Sequence, residues 1–410
     1  MTTAFRPRVL LVGWSGAAYD ALAALGCDVT AVIDGKHRGK ARAHGVDTPV
    51  VVTDTSNAES VLSGLSRHDL APDMFETIAS QSEFALVTAS LLAAVGGTGG
   101  IPLPTAVALR DKFVQKRLVR EAGLPVTECR VVADLGTEPA AGWSWPVVVK
   151  PLAGGGSRDT FLLRGPADLA EITAQLSPVA GPWLVEDFVP GTELHIDGVV
   201  QGGELRLRNL SRYLQNVIEI HSGGLVGSAM LDPAADPGLH ARIGELCTSV
   251  LRALNHRDGV FHIEVFDHDG HLTFSECAGR IGGGMVPESV RHRHGIDLFD
   301  SWARLLLGQP LPQQGEPGKL CGWVQLPAPP GRVTRLPTVA ALLERPGCVE
   351  ARLVTREGGD MPDITAASNL KAGAVVVEGD STAQVEQRLL DLVNWFRSQS
   401  STAPIPAQLP

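Results

Sequence analysis

Trp145-Pro146-Val147-Val148-Val149-Lys150-Pro151-Leu152-Ala153-Gly154-Gly155-Gly156-Ser157 is the stretch on which the reading of this chain turns. Its short, β-branched apolar run reads as a buried strand. The strand delivers one lysine at its end, and a glycine run follows. Glycine lets backbone N–H groups approach phosphate oxygens closely, and a lysine beside them supplies a point charge. The order differs from the GxxxxGK[ST] phosphate loop, where the lysine follows the glycines. Taken alone, the segment fits equally well a strand and hairpin with a surface lysine.

Three downstream segments give it context. In Trp183-Leu184-Val185-Glu186-Asp187-Phe188-Val189-Pro190-Gly191-Thr192-Glu193, an apolar strand ends in acids and a bend before Glu193 opens another strand. Such a linker can offer backbone groups to an adenine edge and a carboxylate to ribose hydroxyls; a solvated acidic turn is the competing reading. Residues 259–267, an Asp269-Gly270 turn and residues 271–276 form a hairpin signal. Glu264 and Glu276 would lie on its paired strands, where two carboxylates can share a hard cation. Glu264 is bracketed by Phe261, Ile263, Val265 and Phe266, so a buried, metal-paired carboxylate stands beside an exposed one as a reading. The last segment is Arg280-Ile281-Gly282-Gly283-Gly284-Met285. An arginine beside a glycine loop can hold a phosphoryl group or a carboxylate bidentately, unless the loop is purely structural. The three glycines leave little bulk there, which permits a roomy acyl pocket.

The rest of the chain frames this constellation. Arg8-Val9-Leu10-Leu11-Val12-Gly13 is a short apolar run, followed by helix formers at 17–25 and a second strand at 28–33. That alternation predicts a small doubly wound domain. The Gly13-Trp14-Ser15-Gly16 turn lacks GxGxxG spacing, so a plain tight turn is expected, with Asp34 as a cap or turn residue. Pro102 and Pro104 mark a boundary. Helical spacing over 106–122 places Asp111, Lys112, Lys116 and Arg117 on a polar face. A proline-rich connector at 309–318 precedes strands near 320–326 and 374–377 and a helix over 381–396. Composition from about residue 398 predicts a disordered tail.

Composition bounds the class. A chain of 410 residues exceeds what one core usually supports, so two or three packed units are expected. Hydrophobic residues at 44% and charged residues at 20% describe a globular protein. A net charge of -10 argues against a nucleic-acid partner, while leaving room for a local basic cleft. Cys27, Cys129, Cys247, Cys277, Cys321 and Cys348 lie far apart without metal-ligand spacing, which favours reduced thiols and a cytoplasmic location. Gly13 and Gly16 cut short the N-terminal apolar run, so no signal peptide is read. The uncharged stretch 84–109 is broken at Gly96-Gly97-Thr98-Gly99-Gly100, well short of the ~20 residues a membrane span needs.

The order Asp111-Lys112, strand–Lys150–Pro151–glycine loop, Glu186-x-Phe188-Val189-x-Gly191-x-Glu193, His262-x-Glu264, Glu276-x-x-x-Arg280-x-Gly282-Gly283-Gly284 resembles the ATP-grasp superfamily. Its carboxylate–amine ligase branch, which includes bacterial L-amino acid ligases, is the most similar. The resemblance spans roughly residues 9–395 and is densest over 111–300. It implies an α/β chain, α+β in its ATP-grasp part. Residues 1–105 would form an N-terminal doubly wound parallel-sheet domain, 106–308 the nucleotide-binding and catalytic core, and 309–410 a C-terminal α+β region completing the fold.

The same resemblance implies roles. Lys112 and Lys150 match the lysines that contact ATP phosphates, and residues 154–160, with Gly154, Gly155, Gly156 and Ser157, the loop that covers them. Glu186, Phe188 and Val189 match the adenine hinge, and Glu193 the ribose contact. Glu264 and Glu276 match the carboxylates for Mg²⁺ (or Mn²⁺), and Arg280 the arginine facing an acyl phosphate. The family's E-x-N-x-R motif would place asparagine at Ala278, which puts the usual second metal in doubt. Glu219 and His221 fall where relatives carry a substrate loop; there Glu219 could accept from an ammonium and His221 could polarise the acyl oxygen, or the loop is merely polar surface. The expected partners are a small carboxylate and an amine, with a homodimer possible. A bicarbonate-activating enzyme similar to biotin carboxylase, though without a Met-Lys-Met acceptor, and a non-catalytic ATP-binding regulator are the competing functions.

Overall fold

The computed structural model describes residues 6–136, 142–176, 181–363 and 370–404. Near the N-terminus, Val50–Val52, Asp28–Asp34, Arg8–Val12 and Thr77–Ala79 form a parallel sheet in that order. Val9, Leu10, Leu11 and Val12 are all fully buried, as expected of a parallel strand covered on both faces. Ser15 caps the Gly16–Ala24 helix by accepting from the Ala18 N–H, so the Gly13–Gly16 segment is a turn and cap, and Asp34 accepts from the Thr55 N–H.

Two antiparallel sheets follow. The smaller runs Cys129–Val132, Trp183–Asp187, Val147–Pro151, Phe161–Leu163. The larger has eight strands, in the order His271–Ala278, Gly259–His268, Thr192–Gln201, Glu204–Tyr213, Gly227–Met230, Leu320–Leu326, Gly373–Gly379, Cys348–Leu353. Strands from beyond residue 309 therefore continue the sheet begun by residues 192–278. Along Gly259–His268, Phe261, Ile263 and Val265 alternate into a core shared with Leu239, Ile243, Leu246 and Val250 of the Pro237–Ala253 helix. The period of two in a strand then turns His262 and Glu264 to the opposite face.

Two expectations need correction. The helix expected over 106–122 is two helices, Leu103–Ala108 and Lys112–Glu121. The break lies at Asp111, whose extended backbone and carboxylate cap the second helix through the Phe113 and Val114 N–H groups, the usual work of an aspartate N-cap. Lys116, assigned to its polar face, is completely buried. The tail expected to be disordered from about 398 carries the helix Thr382–Gln399 and then a strand, Ser401–Ala403, on Gly331–Arg335; residues 405–410 lie outside the described ones. Backbone pairing supplies there what composition does not reveal. Among the described residues no helix is long and apolar enough to cross a membrane, and the six cysteines are free thiols.

Candidate active site

One cavity is lined from both antiparallel sheets. The small sheet supplies Lys150 and the Glu186–Val189 hinge, the large one Glu193, His262, Glu264 and Glu276, and the glycine loop and Arg280 close it. Thirteen of the fifteen residues expected at the site line this cavity: Lys112, Lys150, Gly154, Gly155, Gly156, Ser157, Glu186, Phe188, Val189, Glu193, Glu264, Glu276 and Arg280. Glu219 and His221 do not. They sit exposed on the 3-10 turn Val217–Ser222, and the His221 Nε2 meets the Ser157 carbonyl oxygen at 3.0 Å. The loop they occupy contributes Asn216, Val217 and Ile218 to the wall instead.

Lys150 reaches the cavity because it ends a strand whose Val147 and Val149 are buried. Its Nζ lies 2.6 Å from Glu186 Oε1, while Lys116 Nζ lies 2.8 Å from Glu186 Oε2. Thr127 completes the cluster, accepting from Lys116 and donating to Glu186, each at 2.9 Å. Burial alone would raise the Glu186 carboxyl; Lys116 and Lys150 outweigh it and hold it at about 2. The Glu186 side chain thus positions Lys150, and only its backbone is left to serve a hinge. Lys112, at the start of its helix, lies 3.2 Å from Glu276 Oε2 and donates to the Gly154 carbonyl at 3.3 Å.

Glu264 and Glu276 are direct partners in the hairpin ladder. Tyr213 Oη donates to Glu264 Oε1 at 3.0 Å, and His262 Nε2 lies 3.3 Å from the same oxygen. Behind them Asp197, wholly buried, accepts from His262 Nδ1 at 2.8 Å and His195 Nδ1 at 2.6 Å, and His195 Nε2 meets Ser228 Oγ at 2.7 Å. Burial opposes charge on His262, but Asp197 outweighs it and moves the imidazole up to about 10. This cation lies directly across the ladder from Ala278, the position without the family's asparagine. Glu193 tells the same story from the other side: burial and the charge of Glu264 push it up to about 8. The other two carboxyl groups are held low despite their burial, Glu264 by His262, and Glu276, at about 2, by Lys112 and Lys150. An oxygen-only pair, Glu264 and Glu276, suits a hard divalent cation there, and Lys112 and Lys150 suit phosphate oxygens.

Sequence reasoning missed several contributors. Glu83, from the N-terminal part, pairs with Arg280, and Arg110 lies 3.7 Å from the same carboxylate. Gln81 Oε1 accepts from the Ile281 N–H at 3.0 Å. Lys116 was hidden because helical spacing grouped it with Lys112 and Arg117 on a polar face, and Asp197 and His195 by a strand that reads as ordinary core. The glycines also divide. A Cβ on Gly282 would strike Asp197, and one on Gly284, at φ +68°, would strike the Trp323 ring; only Gly283 faces open space.

The fold and the sequence relatives are those of ATP-grasp carboxylate–amine ligases. No family model matches the chain. An L-arginine-specific L-amino acid ligase of Bacillus subtilis is 26% identical over 325 residues, 77% of this chain and 78% of that protein. A D-alanine–D-alanine ligase of Geobacter sulfurreducens is 25% identical over 228 residues, 53% of this chain and 71% of that protein. The fold matches the crystal structure of an L-amino acid ligase from Bacillus licheniformis with a TM-score of 0.77 at 17% identity, over 98% of this chain and all of that one.

Proposed function

We propose that the chain phosphorylates a small carboxylic acid with ATP and passes the acyl group to an amine, giving an amide, ADP and phosphate. The observation that carries this reading is the convergence of Lys112, Lys150, the Glu264–Glu276 pair and Arg280 on one cavity that also holds the 186–189 hinge. Names of the relatives, an L-amino acid ligase and a D-alanine–D-alanine ligase, favour an amino acid as the acid. Free thiols and ATP dependence suit a cytoplasmic setting.

In this reading a substrate carboxylate oxygen attacks the terminal phosphorus of ATP, the bond to the β-phosphate oxygen breaks, and ADP leaves. Lys112 and Lys150 draw the phosphate oxygens into line, and Arg280 faces the acyl phosphate. A magnesium or manganese ion on Glu264 and Glu276 would neutralise phosphate charge during transfer. The amine nitrogen then attacks the acyl carbon, phosphate departs, and the nitrogen gives up a proton. Residues 154–160 keep water from the acyl phosphate, which hydrolysis would otherwise waste. Incubation with ATP, Mg²⁺, candidate acids and hydroxylamine tests this: a hydroxamate should form with ADP and phosphate. Release of pyrophosphate rejects the mechanism.

A further inference from the structure

The Pro237–Ala253 helix packs on Phe261, Ile263 and Val265, the face of the large sheet turned away from Glu264. Between this helix and the Glu204–Tyr213 strand opens a cleft of about 710 Å³ that shares no lining residue with the catalytic cavity. Arg206 and Arg208 line it from the strand and Arg252 from the helix, against one carboxylate, Glu245. Among the described residues none of the three arginines forms a salt bridge. His294, also in the wall, is held down to about 4 by burial and Arg293, so it is neutral at neutral pH. On a chain of net charge -10, this cleft carries three guanidinium groups to one carboxylate.

The helix makes room for that charge. Gly244 lies in the helix interior, where glycine is destabilising relative to alanine. A Cβ there would strike the Arg208 guanidinium. With the space free, Arg208 reaches over the helix and its Nη1 donates to the His240 carbonyl oxygen at 2.7 Å. That bond orients the group at the cleft and leaves its remaining N–H groups for a ligand. Ala241, Gly244, Thr248 and Arg252 recur at helical spacing, so one side of the helix forms the wall.

We propose that this cleft binds a small anion carrying two or more phosphate groups, held by Arg206, Arg208 and Arg252. The site is separate from the one that supports the ligase reading. Guanidinium forks match phosphate oxygens bidentately, and three of them against one glutamate suit a multiply charged group. The cleft has the size of a small-molecule site. Among the described residues no aromatic side chain lines it, so phosphate groups and not a stacked base are what it recognises.

The test is calorimetric titration of the full chain with inorganic pyrophosphate, and separately with ADP, in metal-free buffer at low salt. Parent, Arg208→Gln, Arg252→Gln and Gly244→Ala are compared. Phosphate taken up by the catalytic cavity is common to all four, so the difference between parent and variants isolates the cleft. Pyrophosphate should bind the parent with a Kd on the order of 0.1 mM or tighter, and each arginine variant should weaken it about tenfold or more. Gly244→Ala should also weaken it while keeping or raising Tm, because alanine displaces Arg208 and favours the helix. Arg252→Gln changes an exposed side chain and keeps the test decisive should Arg208→Gln fail to fold. ADP binding more tightly than pyrophosphate identifies a nucleotide as the source of the phosphates, and weaker binding a free polyphosphate; both support the site. No binding in the parent, an isotherm that no variant changes, or sulfate binding as tightly as pyrophosphate overturns the proposal.

Discussion

Glu186 shows what a single buried carboxylate can organise, since it holds Lys116 and Lys150 at 2.8 and 2.6 Å and so sets where the Lys150 charge stands in the cavity wall. Removing one partner of a buried pair leaves an uncompensated charge and costs ~3–5 kcal/mol. Lys150 remains to share Glu186, so Lys116→Met should cost about 3 kcal/mol, read as a lower denaturation midpoint. The Glu186 carboxyl sits at about 2 in the fold against an ordinary 4.5. Its folded value is depressed, so its stabilisation is present above about pH 4.5 and is lost as pH falls toward 2. Acid titration of Lys116→Met should accordingly show a shallower loss across that window than the parent; parallel curves would remove this role for Glu186. Glu264 and Glu276 are the second residue-level case. Changing either to glutamine replaces an anionic oxygen ligand by a neutral one, and the Mg²⁺ needed for half-maximal activity should rise about tenfold or more. Overlaying titrations of variant and parent would count against the pairing.

At the scale of elements, the hairpin Gly259–His268 with His271–Ala278 does the most to build the site. Its ladder sets Glu264 opposite Glu276 and then shifts register by a bulge after Glu264, a device that re-aims side chains next to active sites. Its apolar alternation was readable from sequence, and so was the strand that presents Lys150. The break between residues 108 and 112 was less so, because helical spacing continues across it while the Asp111 cap acts through backbone geometry. The glycine loop after Arg280 was read as open space for an acyl group, and only part of it is. Gly283→Ala should fold normally and keep Tm within a degree or two of the parent. Gly284→Ala places a methyl against Trp323 at a left-handed backbone position, where strain alone costs about 1 kcal/mol or more, and should lower both Tm and kcat. Equal behaviour of the two variants would mean that the loop is not packed as described.

The whole molecule matters because the N-terminal part reaches to the candidate active site. Glu83 pairs with Arg280 across 197 residues of sequence, and Gln81 holds the Ile281 N–H. A guanidinium fixed by such a partner is already oriented when substrate arrives. Glu83→Ala should therefore lower kcat by about 10- to 100-fold, the scale expected for misplacing a positioned group, and change KM for ATP little, because the nucleotide contacts we propose lie on Lys112, Lys150 and the hinge. An unaltered kcat would show that Arg280 needs no such support.

The chain's own residues determined the parallel N-terminal sheet, the Lys150 strand, the hairpin and the thirteen expected residues that line one cavity, because each rests on short-range chemistry: an alternation, a turn, a glycine run. Tertiary structure alone decided the rest. It buried Lys116, moved Glu219 and His221 out of the cavity wall, coupled Asp197 to two histidines, and brought Glu83 to Arg280 from the far side of the sequence. Those outcomes depend on which distant strands pair and which charges burial leaves uncompensated. No local pattern encodes either, since both arise only when separate sheets close around one cavity.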